Sequence, residues 1–301
     1  MILALSLTYP ASATRRRAIT PFPSPTFFVS LSKFPSNCGS RTSFKCSCTE
    51  NGDTHEASFQ GFSVLGPESD VPWDSGTVWS TLSFYLFSLH IPLSFGGLSI
   101  VAHVLHQPIL DPQTEAASLL GIQLFELVSA VCLLQSTTKR RFRLMSIFKA
   151  DESSADRNAL LGSALGFGSL VLLVFLSSFL ADNFLGPKSV NNSVLKEILL
   201  SSNLSRAACS LAYCIIIPLL EELVYRGFLL RSISRTMKWH QAVLLSSAIF
   251  SAIHFSGENS LQLFIIGCVL GCCYCWTGDL KSSVLVHSLY NAMILVITYV
   301  S

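Results

Sequence analysis

Three short sets of polar residues stand inside otherwise apolar sequence. Glu221 and Glu222 precede Arg226 in Ile217-Pro218-Leu219-Leu220-Glu221-Glu222-Leu223-Val224-Tyr225-Arg226; His254 closes Phe250-Ser251-Ala252-Ile253-His254; His287 and Asn291 bound His287-Ser288-Leu289-Tyr290-Asn291. Carboxylates and imidazoles are the side chains that move protons in catalysis. An ionisable group at bilayer depth is costly, which marks each as a functional hypothesis. Residues four apart on a helix share a face, so Glu222 should pair with Arg226, Phe250 should lie under His254, and His287 should stand one turn from Asn291. Glu221 lies about 100° round from Glu222 and away from Arg226. One glutamate is therefore predicted to be paired and the other to face the bundle interior. Pro218 removes a backbone hydrogen bond one turn before the acids and loosens the helix there.

The elements that must carry these groups are membrane helices. The chain has 301 residues, 50% hydrophobic and only 13% charged, against about 25% charged in an average globular protein. Its apolar residues fall in seven runs, near 77–105, 117–136, 158–181, 205–230, 241–257, 260–277 and 282–300. About 20 apolar residues cross the hydrocarbon as a helix. None of the runs has the alternation of a barrel strand, so an all-α polytopic bundle of about seven transmembrane helices is predicted. Lys139, Arg140, Arg141, Arg143, Lys149 and Arg157 follow the second run, and Arg231, Arg235 and Lys238 follow the fourth. With seven spans, both basic loops fall on one side. Counted from that side at about 1.5 Å per residue, Glu221, His254 and His287 lie roughly 8–20 Å deep and can converge on one cavity. Glu126 stands mid-span in the second run and His90 in the first. Each could pair with a bundle partner, line a substrate path, or make a plain packing hydrogen bond.

The N-terminus reads as an address. Residues 1–49 hold no acid, six basic residues (Arg15, Arg16, Arg17, Lys33, Arg41, Lys45), fifteen Ser and Thr, and five prolines, the composition of a plastid transit peptide. Residues 50–75 then hold six acids and no Lys or Arg, an acidic linker. The expected organisation is 1–49 transit peptide, 50–75 linker, 76–200 N-terminal transmembrane helices and 201–301 the domain bearing the three polar sets. The expected location is a multi-pass chloroplast membrane protein, thylakoid rather than inner envelope, with the basic side in the stroma. A net charge of +2 and the lack of a basic stripe point away from nucleic acid. Cys268, Cys272 and Cys275 share a helical face, where cysteine serves as a small apolar residue.

The ordered sets Glu221-Glu222-x-x-x-Arg226, Phe250-x-x-x-His254 and His287-x-x-x-Asn291, on three separate apolar segments, resemble the motifs of the type II CAAX prenyl endopeptidase and bacteriocin-processing (CPBP or Abi) proteases, over roughly residues 205–300. The resemblance implies an intramembrane endopeptidase and, as partners, the lipid bilayer and a membrane protein or peptide substrate. Carried over, it makes Glu221 the base that activates water, with His254 orienting that water. His287 and Asn291 become oxyanion donors, Glu222 and Arg226 a supporting pair, and Phe250 structural support. No cofactor is certain. Glu and His bind zinc in other sites, so a divalent metal such as zinc stays open, although H-E-x-x-H is absent. No G-x-S-x-G occurs, and after residue 74 every Asp falls at a segment end or in a loop. Within this family, plastid members are associated with thylakoid biogenesis and pigment metabolism, so the alternative reading is a non-proteolytic thylakoid protein that binds and stabilises partners. A transporter should show paired, broken halves, and no internal repeat is visible.

Overall fold

The computed structural model describes residues 72–139, 144–148, 158–186 and 192–301. The expected transit peptide, most of the acidic linker and the basic residues at 140–143, 149 and 157 lie outside them. The described residues are helical and contain no strand. In chain order they form α1 (Ser75–Val104), α2 (Pro112–Thr137), a 3-10 turn (Leu144–Phe148), α3 (Ala159–Leu185), α4 (Ser193–Ser201), α5 (Asn203–Ile233), α6 (Trp239–Ile253), α7 (Ser260–Thr277) and α8 (Leu280–Val300). Six of these are long and apolar enough to span a membrane, and α6 is shorter. The chain is a multi-pass, all-α membrane protein.

Local chemistry sets the ends of these helices. Asp111 caps α2 by accepting Thr114 N–H at 3.0 Å, with Pro112 in the first turn, where its missing N–H costs nothing. Asn158 and Asn192 cap α3 and α4 in the same way. Gly278, at φ 64°, ends α7 in the left-handed region that a Cβ disfavours. Asp279 then caps α8 through Lys281 N–H at 2.9 Å.

Burial separates the layers. Two thirds of the apolar window of α5 is buried, against 17% for α1 and α3, so α5 is the central helix. α3 turns Leu160, Leu165, Phe175 and Phe184 outward; apolar side chains exposed on that scale are at home in lipid, not water. α7 packs on α6, α3 and α8, and α2 packs on α5. A Cβ on Gly267 would stand 2.9 Å from the Ser247 Cβ, and one on Gly271 3.1 Å from Val243 Cγ1. These two glycines, four apart, let α6 and α7 approach closely.

The winding of two helices departs from the sequence expectation. α5 is π-wound at Ala212–Ile216 and Leu223–Leu230, with the α-helical Ile217–Glu222 between them. α1 is π-wound at Leu86–His90 and Pro92–Gly96. Pro218 and Pro92 each lack the N–H that a regular helix would use, and π segments recur at functional sites. The fifth apolar run was expected to continue to 257. The helix stops at Ile253 and His254 is its C-cap. Its 15 residues reach about 22 Å, short of the hydrocarbon thickness of about 30 Å.

Candidate functional site

The short α-helical segment of α5 places Glu221 and Glu222 at the centre of the bundle, 4% and 0% exposed. Their surroundings differ. Glu222 Oε1 accepts from Arg226 Nη1 at 2.8 Å and from His287 Nδ1 at 2.9 Å, and Oε2 accepts from the Ser283 hydroxyl. Arg226, 1% exposed, donates onward to the Gly267 carbonyl at 3.0 Å and lies 4.9 Å over the Phe250 ring. Three donors and one full positive charge thus satisfy Glu222. A carboxylate so engaged is held in place.

Glu221 has the opposite setting. Its Oε1 lies 3.5 Å from His254 Nε2 and its Oε2 lies 3.6 Å from His287 Nε2. The hydrogen bonds on the far sides of these rings fix where one ring proton sits. His254 Nδ1 meets the Phe250 carbonyl at 2.6 Å, which can only accept, so Nδ1 carries the proton. His287 Nδ1 meets the Glu222 carboxylate and is protonated for the same reason. Nε2 of each ring then faces Glu221, an acceptor in a singly protonated ring and a donor in a doubly protonated one. Gaps of this length suit a shared water better than a direct contact.

The three polar sets therefore meet largely as their spacing suggested. Glu222 pairs with Arg226, the Phe250 ring lies 4.6 Å from that of His254, and His254 and His287 flank Glu221. Asn291 stands deeper on α8, where its Nδ2 donates to the Tyr213 carbonyl at 2.9 Å. That bond uses one amide proton and leaves the second. Asn291 Oδ1 and His287 Nε2 have no hydrogen-bond partner among the described residues.

Sequence reasoning missed Ser283 and Gly267. The signals were present: Ser283, His287 and Asn291 recur every four residues on one face of α8, and Gly267 is four before Gly271. Glu126 is fully buried and pairs with His90 at 2.8 Å, one of the options left open for both residues. As to metals, no group of three or more His, Cys, Asp or Glu among the described residues is placed to hold an ion.

Residues 203–293 match the family model described as type II CAAX prenyl endopeptidase, Rce1-like. No curated protein and no solved structure matches the chain. The matched stretch contains Glu221, Glu222, Arg226, Phe250, His254, Gly267, Ser283, His287 and Asn291, and leaves α1 to α4 outside it.

Proposed function

From the match of residues 203–293 to the type II CAAX prenyl endopeptidases, we propose that the chain is an intramembrane endopeptidase in which Glu221 activates water. The observation that carries this reading is the position of the Glu221 carboxylate between two imidazole Nε2 atoms, at 3.5 and 3.6 Å, beside a second glutamate already saturated with donors. A water held by Glu221 and His254 gives its proton to Glu221 as its oxygen attacks the scissile carbonyl carbon. The oxyanion that forms is met by Asn291 through its second amide proton and by His287 through Nε2–H, the ring standing as an imidazolium between the two carboxylates and keeping both protons throughout. Glu221 then returns its proton to the leaving nitrogen as the C–N bond breaks. Glu222, Arg226 and Ser283 hold His287 at the required angle, and Phe250 walls the site. The substrate is a membrane protein or membrane-bound peptide.

The acid-free, hydroxyl-rich residues 1–49 support delivery to a chloroplast membrane, with the thylakoid favoured. Import into isolated chloroplasts tests this: processing near Cys46 to Glu50 and a protease-protected membrane product are expected, and an unprocessed, surface-bound chain would refute it.

Complementation of a null line with wild type and Glu221→Ala, at matched abundance, tests the activity. The variant should insert normally and fail to rescue. Full rescue would remove hydrolysis from the physiological role and leave the partner-stabilising alternative, to be followed by purification of bound proteins.

A further inference from the structure

Glu126 lies mid-span in α2, outside the stretch that matches the family. Its Oε1 accepts from Tyr85 Oη and from His90 Nδ1, both at 2.8 Å, and both donors come from α1 at and beside its first π-wound turn. Its Oε2 is buried and has no hydrogen-bond partner among the described residues. A second such atom is Tyr225 Oη, one turn after Glu221 on α5 and buried without a partner among the described residues. The Tyr225 ring is fixed edge-on against Phe250 at 5.1 Å, and Phe250 in turn touches His254 and His287. α2, which carries Glu126, packs against Ile217–Glu222, the turn of α5 that leads into Tyr225. The polar interior thus continues from Glu221 towards α1 and α2.

Buried polar atoms are nearly always paired, and a carboxylate oxygen left empty at bilayer depth is expensive. A packing role for Glu126 would account for Oε1 alone. An empty acceptor and a hydroxyl able to donate match the one N–H and one C=O that each peptide unit carries. We propose that Glu126 Oε2 and Tyr225 Oη form a subsite that holds one peptide unit of an extended substrate next to the bond cleaved at Glu221. Tyr85 and His90 are positioning residues that orient the Glu126 carboxylate. The proposal rests on the endopeptidase reading and adds that helices outside the family match determine how substrate is held.

The test uses the full chain in lipid nanodiscs and a fluorescent farnesylated peptide ending in a CAAX sequence. Binding is measured in a Glu221→Gln background and turnover in wild type. Tyr225→Phe should weaken binding about tenfold, the scale of one buried hydrogen bond, and raise KM with kcat unchanged. Methylating the backbone nitrogens one at a time should reveal one position that costs about tenfold. That cost should vanish in Glu126→Gln, which puts an amide NH2 where the second oxygen stood. Methylation and substitution penalties that simply multiply would overturn the subsite. So would a lowered melting temperature with unchanged binding, or a chain that does not bind the peptide at all. Cleavage that survives Glu221→Gln would sink the endopeptidase mechanism instead, and the binding arm would still decide the subsite.

Discussion

The imidazole of His287 lies between two adjacent carboxylates: its Nδ1 donates to Glu222 at 2.9 Å and its Nε2 stands 3.6 Å from Glu221. One ring thereby links Glu222, which already has three donors, to Glu221. The two neighbours have identical chemistry and unequal surroundings, and under the proposed function substitution should separate them.

Glu221→Gln should lower kcat by about a hundred- to ten-thousandfold, the range of a lost general base, with little change in thermal midpoint. Glu222→Ala should instead cost about 3–5 kcal/mol of stability, because it strands Arg226 as a buried unpaired charge. Thermal unfolding and single-turnover kinetics on both purified variants check this. An active Glu221→Gln protein beside a stable, inactive Glu222→Ala protein would reverse the assignment.

Asn291→Ala should reduce kcat by about a hundred- to a thousandfold if its second amide proton meets the oxyanion. The accompanying loss of the Tyr213 bond should cost only about 1 kcal/mol. Comparable kinetics for wild type and variant would confine Asn291 to helix packing.

Gly267→Ala should destabilise the fold by about 1–3 kcal/mol, since its Cβ would meet the Ser247 backbone Cα at 3.0 Å and force α6 from α7. Gly271→Ala should cost less, because the Cβ there meets only the Val243 side chain. Thermal midpoints in one detergent rank the two; the reverse order would contradict the close approach at Gly267.

Asp111 supplies a pH test outside the spans. Hydrogen bonds from Thr114 hold its carboxyl below the ordinary value. A depressed folded value means that its stabilisation is complete above the unfolded value of about 3.9 and fades as pH falls through the lower folded one. Asp111→Asn caps a helix equally well without a charge, so that part of the acid sensitivity should disappear. Identical acid profiles for wild type and variant would contradict it.

The proposed route has no metal-dependent step. Turnover should survive exhaustive chelation. Loss of activity that zinc restores would show that water activation needs more than Glu221 and His254.

What the sequence determined by itself was local. Long apolar runs with few charges dictate membrane helices wherever they fold, because lipid leaves the backbone no other partner. Residues four apart share a helix face before any tertiary contact exists, so the Glu222–Arg226 pair and the ring of Phe250 beside His254 could be read from spacing. The tertiary structure decided what depends on the relative depth and rotation of separate helices. His287 reaches Glu222 across 65 residues of chain, and Arg226 reaches Gly267 across 41. Neither follows from any one periodicity. The same holds for Tyr85 and His90 on α1 and Glu126 on α2, which share no motif. The π-wound turns of α5 and α1 and the early end of α6, which leaves His254 as a cap, were not legible in the apolar pattern, although Pro218 and Pro92 mark where each helix lacks a backbone N–H.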